Sequence, residues 1–420
     1  MEYKQHIYDK NNRINRDKLA DLFRNYCKSW MIPALEENSH KNVILSYAEH
    51  PYVSSRFKGY EIDVVFAFLL NKEFLFENGP ITAVDRTYYH SQFVNNNLNA
   101  EQHDDVRLLK KLFKNQFSYG DKAPIGRGGF IGYAAELMVH QFGNMEAIFK
   151  NFHDLPNIAV DVYNRDEHQL RQRMRLQNDF LIVMDPTDKE RNVAASISSR
   201  SWIYCREVIK KFIENPSADY FLERTIPLID KESQDANNHY VLAHFMQQTD
   251  DHYTKIRDKL YSMADTISDI AANELDGTPR FQNVNYAIYF NPPSRDFFLS
   301  FYTTEMNISQ EYSRRGPPLK DMRNLKKFAR KHPNYTERDG YAWIPKKRKY
   351  HDFLNFIRTQ IEKNTFSEIK TEKISKIGAA EDDRAILCAS ILRTCIIPYQ
   401  EELSRWTKRK LHQKNKKYRR

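Results

Sequence analysis

Gly59-Tyr60-Glu61-Ile62-Asp63-Val64-Val65-Phe66-Ala67-Phe68-Leu69-Leu70 is the stretch whose reading decides the fold. β-branched and aromatic residues dominate it, so it predicts a strand, and a strand needs a sheet to pair with. Residues 43–48 predict a second strand, separated from the first by a Pro-Tyr turn around His50 and Pro51. Upstream, residues 15–33 predict a helix with Leu19, Leu22, Phe23 and Tyr26 on one face and Pro33 at its end.

Downstream the pattern turns helical. Val106, Leu109, Leu112 and Phe113 form a stripe from Asp104 onward, and residues 132–142 predict a second helix after a glycine cluster. Residues 170–175, the strand-like 180–184 and 202–213 extend a mostly helical middle region, which Asn215-Pro216-Ser217 breaks. Residues 253–272 predict a long amphipathic helix. Strands at 285–290 and 297–303 follow around Asn291-Pro292-Pro293, and a helix at 319–331 completes an α+β module.

At 420 residues the chain exceeds one ordinary core and predicts several domains. Its 65 Lys and Arg against 55 Asp and Glu leave a net charge of +10, which favours a polyanionic partner. Cys27, Cys205, Cys388 and Cys395 show no CxxC pair and no disulfide framework, so a reducing cytoplasm is expected. The longest apolar run, 64–70, is far short of the roughly 20 residues of a membrane span. No apolar segment follows Met1-Glu-Tyr-Lys-Gln, so a soluble, unexported protein with no membrane partner is expected. Nine Lys or Arg crowd residues 405–420, which read as a frayed basic tail.

Glu61 and Asp63, two apart on a strand, leave the same face, and two acids on one face invite a cation. The plainer alternative for this pair is a solvated face matched by Lys or Arg. Asp63 stands out because an unpaired carboxylate within an apolar strand would be costly. His90, Lys110 and Tyr119 follow in order, and each can donate a hydrogen bond to a phosphate oxygen. Gly126, Gly128, Gly129 and Gly132 do not follow a strand and so do not make a dinucleotide fingerprint. They read as a turn opening a helix, with close packing at least as good a reason for them as an anion. Residues 185–195 read as a strand end turning into a helix. That would leave Arg191 near a helix start, with its guanidinium able to read a base edge or simply paired with Asp188. Arg314, Arg315, Lys320, Arg323, Lys326, Lys327, Arg330 and Lys331 form a second basic patch interleaved with Phe328, Tyr335, Tyr341 and Trp343, a pattern suited to an RNA backbone or to a solvated helix face.

Together these segments resemble the archaeal-type, class I CCA-adding tRNA nucleotidyltransferases of the DNA polymerase β superfamily, over roughly residues 16–350. The resemblance is sharpest at 47–63, 83–90, 106–133, 185–195 and 314–328. It implies addition of C, C and A to the tRNA 3′ end from CTP and ATP with Mg²⁺ ions, and tRNA, ATP and CTP as partners. Asp63 then matches a catalytic, metal-binding carboxylate. His90, Lys110 and Tyr119 match triphosphate-binding positions, with Thr87 beside them. Arg191 matches the arginine that meets the incoming base and the RNA end, and Glu49 falls in the neighbouring nucleotide pocket. Arg314, Arg315, Lys326 and Lys327 would contact tRNA. The implied fold is α+β and multidomain: a partial head with a mixed sheet (1–95), a helical neck (96–225), an α/β body (226–250 and 353–420) and an α+β tail (251–352).

The family's head opens with a Gly-Ser loop and a strand bearing two further acids. None of the 12 glycines here precedes a Ser, and no Asp-x-Asp precedes Asp63, so the chain is expected to start midway through the head. Two alternatives follow: a non-catalytic tRNA-binding remnant, or one half of an enzyme completed by a separate N-terminal fragment or by a homodimer. Within the same superfamily a poly(A) polymerase or oligoadenylate synthetase is a further rival, distinguished by whether addition stops after three nucleotides.

Overall fold

The computed structural model describes residues 14–47, 50–173, 176, 179–222, 226–249, 251–291 and 295–405. Glu49, the Pro292-Pro293 turn, residues 174 and 175, and the basic tail beyond Arg405 lie outside the described residues. The chain divides into two compact units. One holds the described residues of Met1–Leu109 with Gly132–Ala195, and the other those of Lys110–Ile131 with Ser196–Arg420.

In the first unit, helix α1 (Arg16–Tyr26) starts where the Asn15 side chain accepts the Lys18 N–H at 3.0 Å. It does not stop at Pro33. A π-turn (Cys27–Met31) follows, then α2 (Ile32–Glu37) with Pro33 in its first turn. Proline has no N–H to return to the preceding turn, and the chain widens there so that Ile32 N–H bonds Cys27 O instead. Leu19 and Phe23 are buried, and Phe66 and Phe68 pack on them.

The strands β1 (Lys41–Tyr47), β2 (Pro51–Phe57) and β3 (Tyr60–Val64) form an antiparallel meander in the order β1-β2-β3, with Ser54 opposite Asp63. Two expectations change. Pro51 opens a strand, a position where its missing N–H costs no ladder bond, so the segment after it is not merely a turn. The stretch that began at Gly59 leaves the ladder after Val64, because residues 65–70 are held by other groups: Phe68 N–H donates to Asp85 Oδ1 at 2.8 Å, and Tyr89 OH to Leu70 O at 2.7 Å. The sheet is antiparallel throughout, not mixed.

Among the helices that follow are α3 (Thr87–Asn97), α4 (Ala100–Asn115), whose stripe Val106, Leu109, Leu112 and Phe113 is buried as expected, and α5 (Gly132–Phe142). A short strand β4 (Ala159–Val160) runs parallel to β5 (Ile182–Asp185), and β5 pairs antiparallel with β6 (Asp188–Asn192). Residues 185–195 thus form a hairpin rather than a turn into a helix. Polar side chains stitch it: Thr187 N–H donates to Asp185 Oδ1 at 2.8 Å, and Asn192 Oδ1 accepts Val183 N–H at 2.8 Å. Asp and Asn satisfy backbone groups locally and so favour such a turn over a helix.

The second unit contains the end of α4, then α6 (Ser199–Glu214), β7 (Tyr240–Gln247), α7 (Tyr253–Ala272), β8 (Asn285–Asn291), β9 (Asp296–Tyr302), β10 (Glu311–Pro318), α8 (Met322–Lys331), β11 (Thr336–Arg338), β12 (Tyr341–Lys347), α9 (Phe353–Asn364), β13 (Ile369–Lys376) and α10 (Asp383–Ile391). The main sheet has the order β13-β7-β9-β8. Val241, Ala243, Phe245, Phe297, Leu299 and Phe301 alternate onto one face and pack against Ile256, Leu260 and Ile267 of α7 and Phe353, Phe356 and Ile357 of α9. Every pairing in this sheet is antiparallel, so the expected α/β body is α+β. Its strands come from each of the segments 226–250, 251–352 and 353–420. The four cysteines are free and buried.

Candidate functional site

Asp185, at the end of β5, is the centre of the first unit's polar site. Its carboxylate is 0 % exposed, yet five donors converge on it. His90 Nε2 lies 2.9 Å and Arg191 Nη1 2.7 Å from Oδ2. Thr187 donates its N–H and its hydroxyl to Oδ1, each at 2.8 Å, and the Tyr133 hydroxyl stands 3.4 Å from the same oxygen. Burial alone would raise the carboxyl's pKa, but hydrogen bonding and charge from His90, the Thr187 amide and Arg191 outweigh it and hold the group below the usual carboxylate range. Burial first and the Asp185 charge second push the Tyr133 hydroxyl well up, so it remains a proton donor.

Each partner comes from a different element. His90 lies one turn into α3, with its ring stacked on Tyr133 of α5 at 4.0 Å between centroids and 23° between planes. Arg191 sits on β6, not near a helix start, and its side chain is 33 % exposed. The expected alternative partner for Arg191, Asp188, instead accepts from Arg86 Nη2 at 2.5 Å. Arg165 clamps the same hairpin: its Nε and Nη2 bond Asp161 at 2.8 and 3.0 Å, and its Nη1 bonds Lys189 O at 3.0 Å. Thr87 is exposed as the first residue of α3, three positions before His90 and so on a neighbouring face.

Asp63 is exposed, and Ser54 Oγ donates to it at 2.6 Å across the β2–β3 ladder. The cost expected of a carboxylate in an apolar strand therefore does not arise, because the strand's polar face is open to solvent. Glu61 pairs with Arg56 at 2.9 Å, the plainer of its two readings. Among the described residues no group of three His, Cys, Asp or Glu could hold a metal ion. A divalent cation that binds through oxygen takes about six ligands. The single carboxylate of Asp63 does not fit a two-ion centre by itself.

In the second unit, Lys110 is half-buried on α4, while Tyr119 lies beyond that helix's end rather than on it. Tyr119 bridges to Phe130, and Lys114 Nζ stands 5.0 Å from the centre of its ring. The glycines between serve close packing. A Cβ on Gly126 would meet Ser198 Oγ at 2.1 Å, one on Gly128 would meet Ser196 O at 2.4 Å, and one on Gly129 would meet Ser118 O at 2.1 Å. The Gly129 and Phe130 N–H groups are already spent on Gly120 O and Ser118 O, at 2.8 and 2.7 Å.

The basic patch is ordered by the small sheet β10-β12-β11 and by α8. Arg323, Lys326, Lys327, Arg330 and Lys331 fall at i, i+3, i+4, i+7 and i+8 and present a cationic stripe along α8, while Leu325, Phe328 and Ala329 turn inward. On the sheet, Arg315 lies over Tyr341 at 4.7 Å and Arg338 over Trp343 at 4.4 Å. Arg314 is drawn away to Asp276, 3.4 Å off.

Sequence reasoning named His90 and Arg191 separately and missed the residue that joins them. Asp185 and Tyr133 lay within quoted segments, but nothing in linear spacing marks a carboxylate as the partner of a histidine 95 positions away. The one available signal was an Asp directly after the buried run Ile182-Val183-Met184.

Residues 104–222 match the family model described as tRNA nucleotidyltransferase, second domain. The chain is 27 % identical over 325 residues to the CCA-adding enzyme of Methanothermobacter thermautotrophicus, covering 76 % of this chain and 67 % of that one. It is 38 % identical over 180 residues to the CCA-adding enzyme of Thermoplasma volcanium, which is 42 % of this chain and 37 % of that one. With the CCA-adding enzyme of Saccharolobus islandicus it shares 31 % identity over 225 residues, 51 % of each. The chain thus spans between about a third and two thirds of the length of these relatives. The 104–222 match and the relatives' names agree in what this chain is similar to: the archaeal-type CCA-adding tRNA nucleotidyltransferases.

Proposed function

We propose that the chain serves a tRNA nucleotidyltransferase that builds the CCA end of tRNA from CTP and ATP. One observation carries this reading: His90 and Arg191, expected to handle the triphosphate and the base, meet on the single buried carboxylate of Asp185. In the reaction the tRNA 3′-hydroxyl attacks the α-phosphorus and pyrophosphate leaves, so the protein's task is to position groups and to neutralise charge. By the resemblance, His90 with Thr87 in the first unit, and Lys110 and Tyr119 in the second, are each proposed as donors to a triphosphate. The open side of the Arg191 guanidinium meets the incoming base; Glu49, which the resemblance assigns to nucleotide binding, lies outside the described residues. Lys326 and Lys327, with Arg315 and Arg314, neutralise tRNA phosphates.

Asp63 is proposed as one oxygen donor to a divalent cation. Mg²⁺ suits hard oxygen ligands and phosphate. Held by Asp63 together with further oxygen ligands, such an ion would supply charge stabilisation at the phosphoryl oxygens.

The exposed, solitary carboxylate of Asp63 favours a second reading, in which this chain supplies the nucleotide- and tRNA-binding surfaces while other carboxylates complete the catalytic centre. Transfer of radiolabelled CMP and AMP onto a tRNA lacking CCA separates the two. Incorporation that stops after three nucleotides and is abolished by Asp63→Ala supports the first reading. Salt-sensitive tRNA binding without incorporation supports the second, and absence of both tRNA and nucleotide binding rejects both.

A further inference from the structure

We propose that Asp185 is a positioning residue, whose carboxylate holds the His90 imidazole and the Arg191 guanidinium in one fixed relation so that they act on a nucleotide as a pair; this rests on the functional reading above. Both partners use the same oxygen: His90 Nε2 at 2.9 Å and Arg191 Nη1 at 2.7 Å from Oδ2. The other oxygen is taken by the Thr187 amide and hydroxyl, each at 2.8 Å, with the Tyr133 hydroxyl at 3.4 Å. The turn between β5 and β6 therefore sets the plane of the carboxylate through its own backbone, and the two functional side chains are registered on that plane.

The consequence for His90 concerns its tautomer. A carboxylate only accepts, so Nε2 carries a proton facing it, and the ligand side of the ring is Nδ1, which donates to a phosphate oxygen when it is protonated as well. Tyr133, stacked at 4.0 Å, opposes rotation of the ring out of this setting. Arg191 commits Nη1 to Asp185 and, at 33 % exposure, keeps Nε and Nη2 for a base or a phosphate. The rival explanation is a buried ion pair that merely holds the fold together.

The test uses the full chain labelled with ¹⁵N-histidine, as wild type, as Asp185→Asn and as Asp161→Asn. Asp161 clamps the same hairpin through Arg165 rather than through His90 or Arg191. In the wild type the His90 ring should carry its proton on Nε2, and inorganic triphosphate should shift the Nδ1 resonance. Asp185→Asn should erase the Nε2 signature and weaken inorganic triphosphate binding roughly 10- to 100-fold, with a matching rise in KM for CTP, as displacement of a positioned group by up to about 1 Å does. Asp161→Asn should lower Tm while leaving both readouts in place.

A wild-type His90 protonated on Nδ1 alone overturns the proposal without recourse to any variant, so it stands or falls even if Asp185→Asn does not fold. Wild-type triphosphate binding that Asp185→Asn retains in full also overturns it. If the His90 signature is intact but the wild type binds neither inorganic triphosphate nor CTP, the functional reading falls and takes this proposal with it, a pattern distinct from failure of Asp185 alone.

Discussion

Gly316 lies directly against the ring of Phe328: a Cβ built on this glycine would stand 2.5 Å from Phe328 Cζ. The contact seats α8 on β10 and so fixes the direction in which the basic stripe faces. Gly316→Ala should cost about 1–3 kcal/mol through overpacking, read as a lower urea midpoint with unchanged m. Adding Phe328→Leu should recover part of that stability. A Gly316→Ala protein as stable as wild type would show that α8 can shift without penalty.

The stripe itself predicts a salt signature. Lys326→Ala with Lys327→Ala should weaken tRNA binding about equally for tRNAs of different sequence. It should also flatten the plot of log affinity against log salt by about 0.9 for each phosphate no longer neutralised. Filter binding between 50 and 200 mM salt, as roughly spans such effects, provides the measurement. An unchanged slope would remove these lysines from the tRNA surface.

Gly129 separates the packing explanation of the glycine cluster from an anion-binding one. Its Cβ would meet Ser118 O at 2.1 Å, and Ser118 O also accepts the Phe130 N–H at 2.7 Å. Gly129→Ala should therefore destabilise the protein by about 1–3 kcal/mol in urea even without nucleotide. Weaker triphosphate binding should accompany this through displacement of Tyr119, which bridges Phe130. Abolished binding with full stability would instead favour a direct approach of the anion to the glycine N–H groups.

Acid should weaken the first unit through Asp185. Its carboxyl titrates below the usual range in the folded state, against about 3.9 when unfolded. The folded form therefore holds fewer protons, and the stabilisation is complete above the unfolded value and lost as pH falls through the folded one. Urea midpoints taken from pH 6 down to pH 3, a window that brackets the unfolded value of about 3.9, should drop more steeply in wild type than in Asp185→Asn. Parallel curves would mean that the Asp185 cluster adds nothing net.

Much of the fold was legible because local rules settled it. Residues 253–272 and 132–142 are helices with the expected bounds, and the stripe of α4 is buried, since a 3.6-residue apolar period can be satisfied by one geometry alone. Where local rules failed, a side chain or a missing donor had redirected the backbone: Pro33 widened a helix it was expected to end, and Asp185 and Asn192 stitched a hairpin where a helix was expected.

The amino-acid order by itself determined the resemblance to the CCA-adding enzymes, the choice of His90, Lys110, Tyr119 and Arg191 as candidate residues, and the basic character of α8, because motif order and helical period are properties of the line of residues. Only the tertiary structure decided that His90 and Arg191 share Asp185, that Asp63 is open to solvent beside Ser54, and that Arg191 stands on a strand. The reason is physical: a buried carboxylate is stable only where donors distant in the chain converge on it, and that convergence exists only once helices and hairpin have packed.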